Sequence, residues 1–307
     1  MTAPSLFVDS SDLLRRGDGA GLRARAAQDS YLFFRHLLPA DAILPVRADL
    51  LGVIDNFGWR EAGQDVYGDK IDVAALSRVP ESEIRTDIGV THSAYDAVQK
   101  LESVHRLPHH PALLALYQML FGREPLVHPR HIVRLPTPHP AMTPTPPHQD
   151  FPLIQGTANT WTCWIPVGDC SRTLGGLTVL RGSHRLGYLP IRPSLGAGLI
   201  ASQLCSQETD WVEGDYETGD MLTFPSFTVH KAIPPQFRDR VRLSLDVRYQ
   251  PADEPVEAKS LLPHCSLSWE QIYRDWNADN LKFYWRKGEP TLSTWDPTLL
   301  QPSRRIC

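Results

Sequence analysis

The chain has no apolar run long enough to span a bilayer, no cluster of basic residues, no internal repeat and no low-complexity tract. The first absence excludes a helical membrane span. The second excludes the electrostatic footprint of a nucleic-acid or anionic-membrane partner, and the formal net charge is −4. The others leave no linker at which to divide 307 residues, so a single domain over 1–307 is expected. Cysteine is sparse. Cys163, Cys170, Cys205, Cys265 and Cys307 are scattered, odd in number and form no CxxC pair. Neither a disulfide framework nor a zinc knuckle is expected, and a reducing cytoplasm is the expected compartment. The first residues, MTAPSLFVDSSDLLRRGDG, lack the basic region and apolar core of a secretory leader.

What is present is an ordinary globular composition, 42% hydrophobic and 21% charged, with an excess of proline. Much of the proline lies in LPTPHPAMTPTPP at 135–147 and FPSFTVHKAIPP at 224–235. There it stiffens loops and punctuates strands.

The first third reads helical. Gln28 to Leu38 holds an apolar cluster that Pro39 interrupts. From Pro45, Val46, Leu50, Leu51 and Ile54 recur at helical spacing until Gly58. Pro111 opens a further helix through Leu113, Leu116 and Leu120, closed by Gly122. After about residue 125 the period changes. Short β-rich runs at 131–135, 160–167, 177–180, 220–224 and 242–249 alternate with glycine-bearing turns, which predicts a β-sandwich or barrel. Helices are expected on the outside of that β core. Ser268 with Gln271 three residues on predicts a capping box and a last helix. The aromatic residues beyond it (Phe283, Tyr284, Trp285, Trp295) predict a docked tail.

One spacing carries chemistry. His148-Gln149-Asp150 puts an imidazole and a carboxylate two positions apart, on one face of a strand if the segment is extended. His230, 80 residues on, ends a turn-then-strand segment and supplies a second imidazole. Two His and one carboxylate on one face leave metal positions open, an arrangement that suits non-heme Fe(II). A lone HxD arises readily by chance among 12 histidines. Arg242-Leu-Ser244 lifts it above chance: Arg242 and Ser244 alternate onto one face and make an anion clamp of guanidinium and hydroxyl.

Four stretches, PPHQDF at 146–151, GGLTVLRGSHRLG at 175–187, TGDMLTFPSFTVH at 218–230 and RVRLSLDVRYQ at 240–250, resemble the phytanoyl-CoA dioxygenase family of Fe(II)/2-oxoglutarate oxygenases. Weaker similarity extends to 30–39 and 268–276. The resemblance implies a mainly β fold with flanking helices, built on a double-stranded β-helix (jelly-roll, cupin-like) core at about 125–250. It implies His148, Asp150 and His230 as iron ligands and Arg242 as partner of the distal carboxylate of 2-oxoglutarate, with O2 as oxidant. The His230-to-Arg242 spacing is one residue longer than the family pattern, which leaves Arg240 as a rival. An intact Asp150 argues for hydroxylation and against chlorination, since related halogenases carry a small residue there. The implied reaction is hydroxylation of an unactivated C–H bond of a small molecule, a specialised-metabolite intermediate, with release of succinate and CO2. Desaturation, epimerisation and ring formation are alternatives, as is a non-oxygenase metal enzyme on the same fold. Nothing in the sequence fixes an oligomeric state.

Further residues are candidates for the co-substrate pocket. His131 and Arg134 lie on or near the strand leading to His148. Trp164 shares a strand face with Thr162 and is either a pocket wall or plain core. Arg248 is expected to pair with an acidic residue. His184 is read as a turn histidine bonding its own loop, His109 and His110 as solvated or capping, and His139 as solvent-facing or, less simply, in contact with substrate. Gln149 points away from both ligands.

Overall fold

The structure, a computed structural model, describes residues 4–307. Its strands are β1 (Ser5–Leu6), β2 (Leu32–Phe34), β3 (Pro125–Val127), β4 (Ile132–Arg134), β5 (Trp161–Pro166), β6 (Leu177–Leu180), β7 (Ile191–Pro193), β8 (Ile200–Ser202), β9 (Trp211–Glu213), β10 (Met221–Pro225), β11 (His230–Ala232) and β12 (Ser244–Pro251). The larger sheet runs β2-β10-β5-β12-β3, with β4 also paired to β12. The smaller runs β1-β9-β6-β11, and β7 and β8 form a separate hairpin.

Alternation along the larger sheet sorts its side chains into two layers. One face carries Leu32, Phe34, Cys163, Ile165, Leu245, Val247 and Tyr249 into a core shared with the helices Ala40–Asn56, His92–Gln99 and Pro111–Phe121. The stacked rings of Tyr117 and Tyr249, 3.8 Å apart, join helix to sheet. The opposite face carries Phe33, Trp164, Leu222 and Phe224 against Val179 and Val212 of the smaller sheet. Every residue of β12 is buried, because both of its faces are covered. The polar residues Ser244, Asp246 and Arg248 therefore look into the space between the sheets.

Most elements fall where the sequence puts them. The Pro111 helix ends at Gly122 in the left-handed conformation, and Ser268 and Gln271 form a reciprocal capping box. Phe283, Tyr284 and Trp285 after it join a cluster with Leu126 and Val256 as a docked tail, and Trp295 lies against Lys259. Gly219 has φ +95° and lies against the Leu38 carbonyl, a close approach that leaves no room for a Cβ at the turn into β10.

Three expectations are corrected. The apolar cluster at 28–38 is not helical: a helix ends at Asp29, and Leu32–Phe34 is a strand paired with β10. The next helix begins at Ala40 and carries Pro45 inside it, so Pro45 does not open it. Cys205 and Cys307 form a disulfide, although the sequence suggested none. No helix among the described residues is long and apolar enough to cross a membrane.

Candidate metal centre

His148 faces His230, at the edge strand β11 of the smaller sheet, in an isolated antiparallel bridge. Each backbone N–H donates to the other's carbonyl at 3.0 Å. Residues so paired project to one side, and the rings lie 4.2 Å apart, centroid to centroid. The Nδ1 of His148 lies 2.9 Å from the Pro146 carbonyl, and the Nδ1 of His230 lies 3.1 Å from that of Thr228. A carbonyl only accepts, so Nδ1 carries the proton in both rings and Nε2 keeps its lone pair. Both Nε2 atoms point at Asp150 Oδ1, at 3.6 and 3.9 Å. The three ligand atoms lie within 4.8 Å of one another, a group that could hold a metal ion.

Asp150 does not reach this point along a strand, as period-two alternation suggested. It has helical dihedrals (φ −72°, ψ −32°) and precedes the short helix Phe151–Ile154. The Phe151 N–H donates to the Ser226 carbonyl at 3.0 Å, which ties the turn to the loop before His230. His230 likewise opens β11 and does not end a strand.

The second carboxylate oxygen is held by the protein. Thr162 and Arg248 are direct cross-strand partners in β5 and β12, and both reach Asp150 Oδ2: the Thr162 hydroxyl donates to it, and Arg248 Nη2 lies 3.4 Å away. Oδ1 is left for a ligand. Burial pushes the Asp150 carboxyl up, but Arg248 and the His148 contact outweigh it and hold it well below the usual range. Burial lowers His230 to about 3, so its imidazole is neutral at physiological pH. Gln149, on the other side of the backbone, donates to the Gly187 and Phe227 carbonyls at 2.8 and 2.7 Å and accepts from Leu189 N–H. It pins the segment between the ligands.

A cavity of about 40 Å³ joins this triad to Thr162, Trp164 and Arg242. Trp164 packs on Tyr216 (4.7 Å) and forms the wall.

The family model for phytanoyl-CoA dioxygenase (PhyH) matches residues 28–238. The chain belongs to the phytanoyl-CoA dioxygenase family. It is thus an Fe/2-oxoglutarate-dependent oxygenase, with iron, 2-oxoglutarate and O2 as its cofactor set. A 1-deoxypentalenic acid 11-beta-hydroxylase of Streptomyces arenae is 28% identical over 285 residues, covering 88% of this chain and 92% of that protein. Among solved structures, the epimerase SnoN in complex with Fe3+, alpha ketoglutarate and nogalamycin RO is similar with a TM-score of 0.55 at 21% identity, over 78% of this chain and 86% of its own. EctD from S. alaskensis with 2-oxoglutarate and 5-hydroxyectoine is similar with a TM-score of 0.51 at 14% identity, over 82% and 81%. These likenesses show the jelly-roll fold, here with its two sheets face to face and not closed into a barrel.

The family's co-substrate can be tested against the two arginines. Arg240 is engaged: its Nε and Nη2 donate to both oxygens of Asp69 at 2.8 and 2.9 Å. Arg242 is buried, makes no ion pair among the described residues and has no partner for Nε. Ser244 Oγ is also buried without a partner. An unpaired buried guanidinium beside a free hydroxyl is costly and fits a dicarboxylate's distal end.

Arg134 lines the same cavity, but it is committed to Asp246 (2.9 Å) and to the Asp87 carbonyl. His131 is corrected: Ile132 and Arg134 face the site, so His131 turns the other way and packs on His105 at 5.1 Å. His184 bonds the Ser30 hydroxyl, 154 residues away, and not its own loop. His139 is buried, with Nε2 3.0 Å from the Val79 carbonyl, and does not face solvent. His110 caps the Pro111 helix, whereas His109 packs on Tyr284. What sequence reasoning missed is Thr162, whose role depends on the register that sets it beside Arg248.

Proposed function

We propose that His148, Asp150 and His230 hold Fe(II), that Arg242 with Ser244 takes the distal carboxylate of 2-oxoglutarate, and that the chain hydroxylates an unactivated C–H bond of a small specialised-metabolite intermediate, giving succinate and CO2. The observation that carries this reading is the convergence of two proton-free Nε2 atoms and one free carboxylate oxygen beside a buried guanidinium that has no anion. The bound iron, with 2-oxoglutarate and O2, supplies the oxidising power for the C–H bond. The protein's own contribution is position. Thr162 and Arg248 fix the Asp150 carboxylate, the two backbone carbonyls fix the imidazoles, and Trp164 keeps water from the clamp. The S. arenae relative, named as a hydroxylase of an acid, supports both the hydroxylation outcome and the small-molecule substrate. The whole chain is read as one oxygenase domain, because helices, sheets and tail share continuous cores. A cytoplasmic location belongs to the same reading.

The test is turnover with Fe(II), 2-oxoglutarate and O2 over a panel of small natural-product scaffolds that includes 1-deoxypentalenic acid. Succinate formed in step with a product one oxygen atom heavier supports hydroxylation. Succinate formed with an isomeric or dehydrogenated product moves the reading to epimerisation or desaturation. Succinate formation that survives His148→Ala removes the ligand assignment.

A further inference from the structure

A second cavity, of about 210 Å³, is lined by His148 and Asp150 and does not include Arg242. Four fixed cations line it, Arg130, Arg134, Arg248 and Lys259, against two carboxylates, Asp87 and Asp150. Most of these charges are committed. Arg134 pairs with Asp246, Arg248 with Asp150, and Asp87 with Arg85 at 2.8 Å. Arg130 and Lys259 make no ion pair among the described residues.

Both are nevertheless held in place. Arg130 Nη1 donates to the backbone carbonyls of Leu262 and Pro263, which orient the guanidinium and leave its charge unneutralised. Lys259 Nζ rests 3.8 Å from the centroid of Trp295. Of the three histidines in the wall, His148 is the proposed metal ligand, and the other two add no charge, since burial holds His128 at about 4 and His264 well below its usual value. The rest of the lining includes Ile132, Leu153, Ile154 and Ala197. The cavity is thus apolar over part of its surface and carries two cations without an ion-pair partner, the half-buried Arg130 and the exposed Lys259. A partly buried guanidinium with no anion is unfavourable by itself and favourable once a carboxylate meets its fork.

We propose that this cavity is the substrate site and that Arg130 and Lys259 bind a carboxylate on the substrate, with the apolar body of the molecule lying toward His148 and Asp150. The proposal rests on the metal assignment above and narrows it to a substrate class, a small apolar acid. Anchoring one end of such a molecule decides which C–H bond faces the metal.

The test compares two probes of one shape, cyclohexanecarboxylate and the neutral cyclohexanecarboxamide. Each is titrated into the full chain loaded with Co(II) and saturating 2-oxoglutarate, and paramagnetic relaxation of the ring protons reports residence near the metal. The acid is expected to bind roughly tenfold or more tightly than the amide, the worth of one charge-assisted hydrogen bond. Arg130→Gln combined with Lys259→Gln is expected to abolish the preference. Equal binding of acid and amide, no binding of the acid, or a preference that survives the double variant overturns the proposal; the last outcome also covers an acid that merely ligates the metal. A separate control reads the visible absorption band of Fe(II) with 2-oxoglutarate in the unaltered chain. Its absence removes the metal assignment and this proposal together, whereas its presence with no acid preference removes this proposal alone.

Discussion

The Arg242 guanidinium carbon lies 5.5 Å from the centroid of the Trp164 ring. Asp246 in the same cavity acts on this cation only at a distance, being paired with Arg134, and burial lowers the Arg242 pKa. Arg240, two residues earlier and 37% exposed, already has both oxygens of Asp69. Two arginines that the sequence leaves as rivals are therefore in opposite electrostatic states, and only one of them lacks an anion.

Arg242→Gln is expected to raise the 2-oxoglutarate concentration needed for half-maximal succinate formation roughly tenfold to hundredfold, the worth of a charge-assisted hydrogen bond or two. Arg240→Gln is expected to leave that concentration unchanged and to cost about 1 kcal/mol of stability or less. The check is succinate release against 2-oxoglutarate concentration for both variants. A shift carried by Arg240→Gln instead reverses the assignment.

Thr162→Val removes the hydroxyl that donates to Asp150 Oδ2 while keeping the shape of the side chain. The carboxylate then loses one of its two ties, and Fe(II) affinity is expected to fall roughly tenfold to hundredfold, as is usual when a ligand's supporting hydrogen bond is lost. Anaerobic titration with Fe(II) measures it. Affinity unchanged in both Thr162→Val and Arg248→Gln contradicts the claim that these residues orient the ligand.

Acid is expected to destabilise the fold before ordinary carboxylates titrate. Burial lowers His105, His109 and His128 from 6.5 to about 4, and lowers His131 and His264 well below 6.5. These rings stay neutral in the folded chain but take up protons below about 6.5 once unfolded. The unfolded state thus binds more protons as pH falls from 6.5 toward 4, and stability drains away through that window. Each group contributes a slope of up to roughly 1.4 kcal/mol per pH unit. Urea unfolding between pH 7.5 and 5 shows it, and His105→Gln is expected to shallow the slope. A flat profile contradicts the neutral-histidine core.

Cys205–Cys307 closes a sequence separation of 102 residues, and in the chain-entropy picture a loop of that size constrains the unfolded state by roughly 4–5 kcal/mol. Thermal unfolding with and without reductant is expected to show a clear loss of stability on reduction, matched by Cys307→Ser. Segment 303–305 is expected to stay docked, through the paired contacts of Arg305 with Glu208 and Gln203. Equal melting temperatures, with the bridge verified by peptide mapping, contradict this. In a reducing cytoplasm the thiol form prevails.

The metal centre is legible in the sequence because it concentrates chemically demanding residue types at fixed spacing: His148, Asp150, His230 and Arg242 stand out without any knowledge of contacts. Their local conformation is not legible. Period-two alternation puts Asp150 on a strand, yet Ser226, 76 residues later in the chain, captures the Phe151 N–H and turns it into a helix. Alternation also says that His131 and Arg134 lie on opposite faces, but not which face looks inward; the β4–β12 pairing decides that. The same holds for Arg248, whose expected acidic partner is Asp150, 98 residues away, reached only through the register that sets it beside Thr162. Leu32–Phe34 is too short to show a period and is a strand because β10 pairs with it.

The most direct test of the central claim is anaerobic visible absorption of the metal-free chain on adding Fe(II) and then 2-oxoglutarate. The account predicts a weak charge-transfer band in the unaltered chain, absent in Asp150→Ala and, at limiting 2-oxoglutarate, weakened in Arg242→Gln. A folded, iron-loaded chain that shows no band, or a band of full strength in Asp150→Ala, contradicts it.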